Sequence, residues 1–461
     1  MYAPVVTELL GGEMQLDQRI RSSRDRLSAI ARESDRAQQA ESQDDVETAF
    51  RIRRQLVREN PDLDLSRRFQ LPVRFESAPP GALVTLLDGS AAGRPIGRTP
   101  VVTSYPVLGG TKYRITLDGY APLDVERKGA ESDDSGVHRV ELPKIAVWTS
   151  GPAGMTESRP AADGESIVTA SRAGLVRRLA SKDGVELARF DAGLLDGFCA
   201  PPVLFGGRVF VAALDGKGFV LDPATLARVA TFETGSVRAA PVATAAGVVV
   251  GDETGTMRLV GAQGTSVWAK PLGRVRCDLA ISGDEVLALT TDAEILLIEP
   301  ATGDVRKRHQ LSHDFTWGPP TVRGERLFIG NESGEIVCLD AKTLEPVWAQ
   351  RLDGPVRGPI CAAGVRLVAC TSNGAVHVLD SESGMVLSRT LVGGKVDGGA
   401  CALPDGGFVV ATRKGNVTRF DGSAQIVWKF DAGDEICASP WLSHGAVSVV
   451  TRKGVVIALS P

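Results

Sequence analysis

The sequence predicts a mainly β protein: an eight-bladed β-propeller, with seven blades as the alternative, after a small β-sandwich-like module and an N-terminal helical segment. Three observations carry this. Trp148, Trp268, Trp348 and Trp428 each follow a valine, with gaps of 120, 80 and 80 residues, all multiples of forty. A period of about forty residues marks a chain built from one repeated supersecondary unit. Leu-Asp pairs recur within it at Leu221-Asp222, Leu339-Asp340 and Leu379-Asp380, with Ile298-Glu299 and Phe420-Asp421 as variants. The ends also complement each other. The last unit stops at Pro461 before its Val-Trp strand, while Ile145 to Trp148 is such a strand with no unit before it.

Residues 1–70 read as helical. Leu16, Ile20, Leu27 and Ile30 fall near helical spacing among charged residues. A second helix carries Val46, Phe50, Ile52 and Leu56 and ends before Asn60-Pro61, because proline cannot continue it. The polar stretch from Ala40 to Asp45 turns the chain between them. A helical hairpin, a short coiled coil or a linker all suit this segment. The narrow apolar stripe makes self-association through residues 12–60 an expectation.

Residues 71–144 change to short alternating segments. Pro80-Gly81-Ala82 forms a turn with a positive φ at glycine, Thr99-Pro100 favours an extended entry, and Tyr113 with Tyr120 can cap a thin core. With Gly97-Arg98-Thr99-Pro100 and Gly119-Tyr120 in order, this stretch resembles the PEGA domain, a small β-module of bacterial and archaeal proteins. That resemblance implies no catalytic activity.

From residue 145 to 461 each unit has the composition of four short strands, as in a propeller blade. Opening prolines stand at Pro160, Pro202, Pro241, Pro320, Pro359 and Pro440, and Cys277-Asp278 and Gly399-Ala400 mark the other two units. If residues 145–148 complete the last unit, the ring closes and its strand edges are hidden. The unit resembles the PQQ-like propeller repeat, with good matches at Pro300 to Gly303, Ala341 to Trp348 and Leu379 to Gly384. Ala188, Arg308 and Ser388 depart from it in the tryptophan column. The four tryptophans are expected to be buried between blades as packing anchors.

Composition narrows the function. A net charge of −4 over 461 residues supplies no bulk field for nucleic acid or anionic membrane. No apolar run is long enough to span a bilayer. The start shows no basic segment followed by an apolar one, and the first cysteine is Cys199, so neither a signal peptide nor a lipid-attachment cysteine is expected. On that basis the chain reads as cytoplasmic, or as envelope-associated if the true start lies upstream. Seven scattered cysteines read as reduced thiols.

Catalytic patterns are missing. The quinone-dependent enzymes that the repeat resembles set a disulfide of adjacent cysteines against the cofactor and use calcium. No two cysteines are adjacent here and no calcium set assembles, so no cofactor, metal or catalytic residue is expected. His309 and His313 lack a third zinc ligand. Neither a nucleophile elbow nor a phosphate-binding loop occurs, and the stretch Asp191 to Phe198 lacks the kinase order.

A protein-binding surface remains. Thr412 to Gly415 and Thr451 to Gly454 are the same turn one repeat apart, placing Arg413, Lys414, Arg452 and Lys453 side by side on one rim. The matching turns elsewhere are acidic or neutral, as at Gly251 to Gly255 and Asn331 to Gly334, so the face should be basic on one side and acidic on the other. Arg238, Trp317, Arg357 and Asp397 occupy equivalent openings near the channel mouth, and Cys199, Cys277 and Cys437 occupy three others. The sequence therefore reads as a non-enzymatic scaffolding or sensory propeller with protein partners. Its arrangement resembles the non-kinase portions of large bacterial signalling kinases. The alternatives are an envelope assembly factor similar to the propeller lipoprotein of outer-membrane insertion machinery, and a quinone-dependent oxidoreductase.

Overall fold

The computed structural model describes residues 3–88, 92–106, 111–127, 136–312 and 318–461. The chain divides into two units, Met1–Pro143 and Lys144–Pro461.

In the first unit, α1 spans Ala3–Ser42 and α2 spans Val46–Glu59. The Asp45 carboxylate accepts the Thr48 N–H at 3.1 Å and caps α2 at its start. At the other end the Asn60 amide donates to the Leu56 carbonyl at 2.9 Å, and Pro61 follows. One three-stranded sheet centres on Gln70–Ala78, antiparallel to Val101–Pro106 and parallel to Val137–Glu141. A four-stranded sheet orders Pro95–Arg98, Leu83–Leu86, Thr111–Thr116 and Leu123–Arg127. Leu71, Val73, Phe75, Val84, Tyr113 and Ile115 form their shared core, and Phe50 of α2 is buried in it. Helices and sheets therefore make one unit here, where the sequence drew a boundary at residue 70, because an aromatic of the helical stretch fills the sheet core. Gly81 has φ +92, and its turn is tied to Thr99, whose carbonyl accepts the Gly81 N–H at 2.8 Å.

The second unit holds, among the described residues, eight four-stranded antiparallel sheets, most drawn from consecutive strands. The first is Ala161–Ala162, Ser166–Ala170, Leu175–Ala180 and Glu186–Asp191. The eighth joins Trp441–Ser443, Ala446–Val450 and Val456–Leu459 to the distant strand Ala146–Thr149, with Ala458 opposite Trp148. Apolar clusters lie between neighbouring sheets. Val168 and Val176 of the first meet Val209 and Phe219 of the second, and Leu179 of the first meets Val450 and Val456 of the eighth. This is a β-propeller whose last sheet packs on its first.

The repeat markers have local causes. The Asp340 carboxylate accepts the Lys342 and Thr343 N–H groups at 3.0 and 2.8 Å, and Asp380 does the same for Glu382 and Ser383 at 3.2 and 2.9 Å. The Leu-Asp marker is thus a buried leucine followed by an aspartate that closes a turn. The tryptophans sit on the outermost strands. The indole N–H of Trp148 donates to the Ser181 carbonyl of the adjoining sheet at 2.9 Å, Trp268 to Pro300 at 2.8 Å and Trp348 to Ser381 at 3.3 Å. Each ring lies on a glycine of that turn, Gly184, Gly303 or Gly384. Of the four, Trp428 alone is buried; Trp148, Trp268 and Trp348 are half-buried. That corrects the expectation of full burial: an indole laid across two outer strands keeps one edge in solvent.

Candidate protein-docking face of the propeller

Eight hairpin turns join the second and third strands of the sheets. They begin at Ser171, Ala213, Asp252, Thr290, Asn331, Thr371, Thr412 and Thr451. Most first residues are buried polar groups that serve the turn itself. Thr412 Oγ1 accepts the Asn416 N–H at 3.2 Å, and Asn331 Oδ1 accepts the Glu335 N–H at 2.7 Å. Burial opposes the Asp252 carboxylate, but hydrogen bonds from Thr254, Gly235, Thr256 and Arg258 outweigh it and hold its pKa below the usual range.

The second residue of the turn faces the opening loop of the sheet. The Arg172, Glu253, Ser372, Arg413 and Arg452 N–H groups donate to the carbonyls of Met155, Ser236, Pro355, Lys395 and Glu435. Two residues beyond each acceptor stand Glu157, Arg238, Arg357, Asp397 and Cys437, so these positions are equivalent. By the same rule Gly197 and Arg274 lead to Cys199 and Arg276. Trp317 and His313 lie outside the described residues.

The structure brings Arg238, Arg357, Asp397, Cys199 and Cys437 together around one cavity of about 790 Å³. It moves Cys277 away from them. That thiol is buried, with its Sγ 3.6 Å from the Leu289 carbonyl, and Arg276 takes the equivalent place one residue earlier. Sequence reading missed Glu157 and Arg276. The signal was present: the opening position stands fifteen residues before the second turn residue in most units, as at 157 and 172, 238 and 253, and 437 and 452.

The charges are matched rather than segregated. Glu253 pairs with both Arg238 (3.2 Å) and Arg276 (2.7 Å), and Glu332 chelates Arg357 at 2.8 and 3.0 Å. On the predicted basic rim, Arg413 pairs with Asp397 at 2.7 Å, Arg452 with Glu435 at 2.7 Å and Lys453 with Asp434 at 3.8 Å. The expectation of a basic half facing an acidic half is corrected: neighbouring loops place a carboxylate against three of the four cations. Arg452 and Lys453 also wall a shallow groove of about 490 Å³ beside the exposed Met155. A face of paired charges around a depression of mixed polar and apolar lining can meet a charged protein surface by exchange of ion-pair partners.

The cavity thiols are chemically quiet. Burial, with Glu157 alongside, pushes Cys199 up to about 11; burial raises Cys361 to about 11 and Cys401 to about 12, and lifts Cys437 as well. Near neutral pH all four stay protonated, and a neutral thiol is a poor nucleophile and metal ligand. Among the described residues no three His, Cys, Asp or Glu side chains are grouped as a metal site. Asp278 is half-buried in the wall. Burial raises its pKa, partly opposed by the Ala240 N–H it accepts at 2.9 Å and by the Arg159 charge. A raised folded pKa means that this group favours the fold most when protonated, and that contribution is lost as pH rises through the folded value. Asp278→Asn keeps an acceptor for Ala240 and should become more stable than the wild type as pH rises above about 4, the ordinary carboxylate range. Urea midpoints measured across that range check it; a constant difference would acquit the carboxyl group.

The family model described as outer membrane protein assembly factor BamB matches residues 172–316, 291–387 and 372–461. The chain belongs to that family. A BamB from Burkholderia pseudomallei (strain K96243) is 26% identical over 339 residues, covering 68% of this chain and 87% of the relative. The crystal structure of BamB from Moraxella catarrhalis superposes with a TM-score of 0.61 at 18% identity, covering 68% of this chain and 97% of that one. Quinohemoprotein alcohol dehydrogenase from Comamonas testosteroni has the same fold, with a TM-score of 0.59 at 13% identity over 68% of this chain and 76% of its own. Among the described residues of this BamB-family chain, no helix is long and apolar enough to cross a membrane.

Proposed function

We propose that this chain is a non-enzymatic docking propeller that serves outer-membrane protein assembly in the cell envelope. The observation that carries this reading is the family match across residues 172–461, together with a relative aligned over 87% of its length. The quiet thiols and matched ion pairs of the loop face agree with binding rather than bond-making. In this reading each four-stranded sheet is one blade of an eight-bladed ring, and residues 71–144 are a PEGA-like module that accompanies it. The partner-binding residues are Arg413, Lys414, Arg452 and Lys453 on the rim, with Arg238, Arg357 and Asp397 around the cavity; Trp317, which the sequence groups with them, lies outside the described residues.

Deleting the gene in its native cell should lower the amount of outer-membrane β-barrel proteins severalfold, and the wild-type chain should restore it. The chain carrying Arg413→Glu, Lys414→Glu, Arg452→Glu and Lys453→Glu should fold, by circular dichroism, yet restore poorly. Unchanged outer-membrane protein levels after deletion would refute the reading.

A further inference from the structure

The two long helices of the first unit are mismatched. α1 has 40 residues and α2 has 14, or about 60 Å against about 21 Å at 1.5 Å per residue. Ala37, Ile52, Leu56 and Leu65 fill the seam between α1 and the chain that follows, with Ile30 at its edge. The Arg26 side chain, bonded to Asn60 and Asp62, marks where coverage ends. The same apolar stripe runs on towards the N-terminus through Leu27, Ile20 and Leu16, which are 57%, 48% and 59% exposed. Successive turns of one apolar stripe left in water are half of a helix–helix seam.

Charge says what completes it. A shallow groove of about 560 Å³ runs along this face, floored by Ile20, Leu27 and Ala31 and walled by Arg19 and Arg24, with no carboxylate lining it. Neither arginine has an ion-pair partner among the described residues. Asp17 adjoins only the far end, beside Leu16.

We infer that this face of α1 docks an amphipathic helix of another protein, one whose apolar stripe is flanked by Asp or Glu. A second copy of this chain fits less well. Parallel pairing through the stripe sets Arg19 of one chain against Arg24 of the other, twice, and an antiparallel pair brings Arg19 towards Arg26. Like charges at the positions flanking a helical seam select against that partner.

The test uses the full chain and two labelled synthetic peptides of three heptads, with leucine at the seam and either Glu or Lys at the flanks. Fluorescence anisotropy at low salt should show the Glu peptide binding at least about tenfold more tightly than the Lys peptide. Arg19→Glu with Arg24→Glu should invert that order. Leu16→Gln, Ile20→Gln and Leu27→Gln together should abolish binding of both while the propeller's thermal transition stays in place. Equal binding of the peptides, or no binding of either, overturns the inference. So does light scattering that shows a dimer dissociated by the glutamine variant.

Discussion

Arg177→Met is expected to lower the stability of the propeller by about 3 kcal/mol, read as a shift of the urea midpoint. The guanidinium is 3% exposed and donates to the carbonyls of Gly151 and Pro152 at 3.0 and 3.3 Å. It also reaches the Gly454 carbonyl and the Ser150 hydroxyl, both at 3.3 Å. These acceptors come from the segment after the closing strand and from the last hairpin turn, so one cation of the first sheet is tied both to the eighth sheet and to the segment that links the two. Methionine fills similar volume but donates nothing, leaving the Gly454 carbonyl and the Ser150 hydroxyl without this donor in a buried setting. Burial depresses the Arg177 pKa, with Glu186 at 3.5 Å acting against that shift, and the group stays a cation at any working pH. The expected loss is therefore independent of pH between about 5 and 9. A midpoint unchanged by the substitution would mean the seam is held elsewhere.

Gly184→Val should cost a similar amount, about 3 kcal/mol, from two causes that add. Gly184 has φ +72, where a β-branched residue is strained. A Cβ there would stand 2.4 Å from Trp148 Cε3, so the indole must leave the turn on which it rests. Trp148 belongs to the strand that completes the eighth sheet, opposite Ala458. Hydrogen exchange should consequently rise at residues 456–459, far along the chain from the substitution. Gly303→Val meets Trp268 in the same way, with a Cβ 2.8 Å from its ring, yet touches no closing strand. It should destabilise without exposing residues 456–459; identical exchange patterns in the two variants would contradict this account of closure.

The repeat was legible because its marks are local. A leucine that must be buried, an aspartate that must close the next turn and a tryptophan that must lie on a glycine recur at a fixed pitch. The ring position of the site was half legible. Arg238, Arg357 and Asp397 stood out by residue type, whereas Glu157 and Arg276 required counting fifteen residues back from each turn. The pairing of Arg413 with Asp397 and of Arg452 with Glu435 was not legible, since each carboxylate comes from another loop. The burial of Phe50 among the strands of the first unit was hidden likewise, because helical spacing reports which face is apolar and not what covers it.

By itself the sequence determined the four-stranded unit, its pitch and the displaced final strand, all of which follow from contacts within about forty residues and from a count at the two ends. The tertiary structure alone decided the pairing of charges at the loop face and the upward shift of its thiols. Both depend on which charges and which apolar walls come within a few ångströms across different sheets, a distance that separation along the chain does not encode.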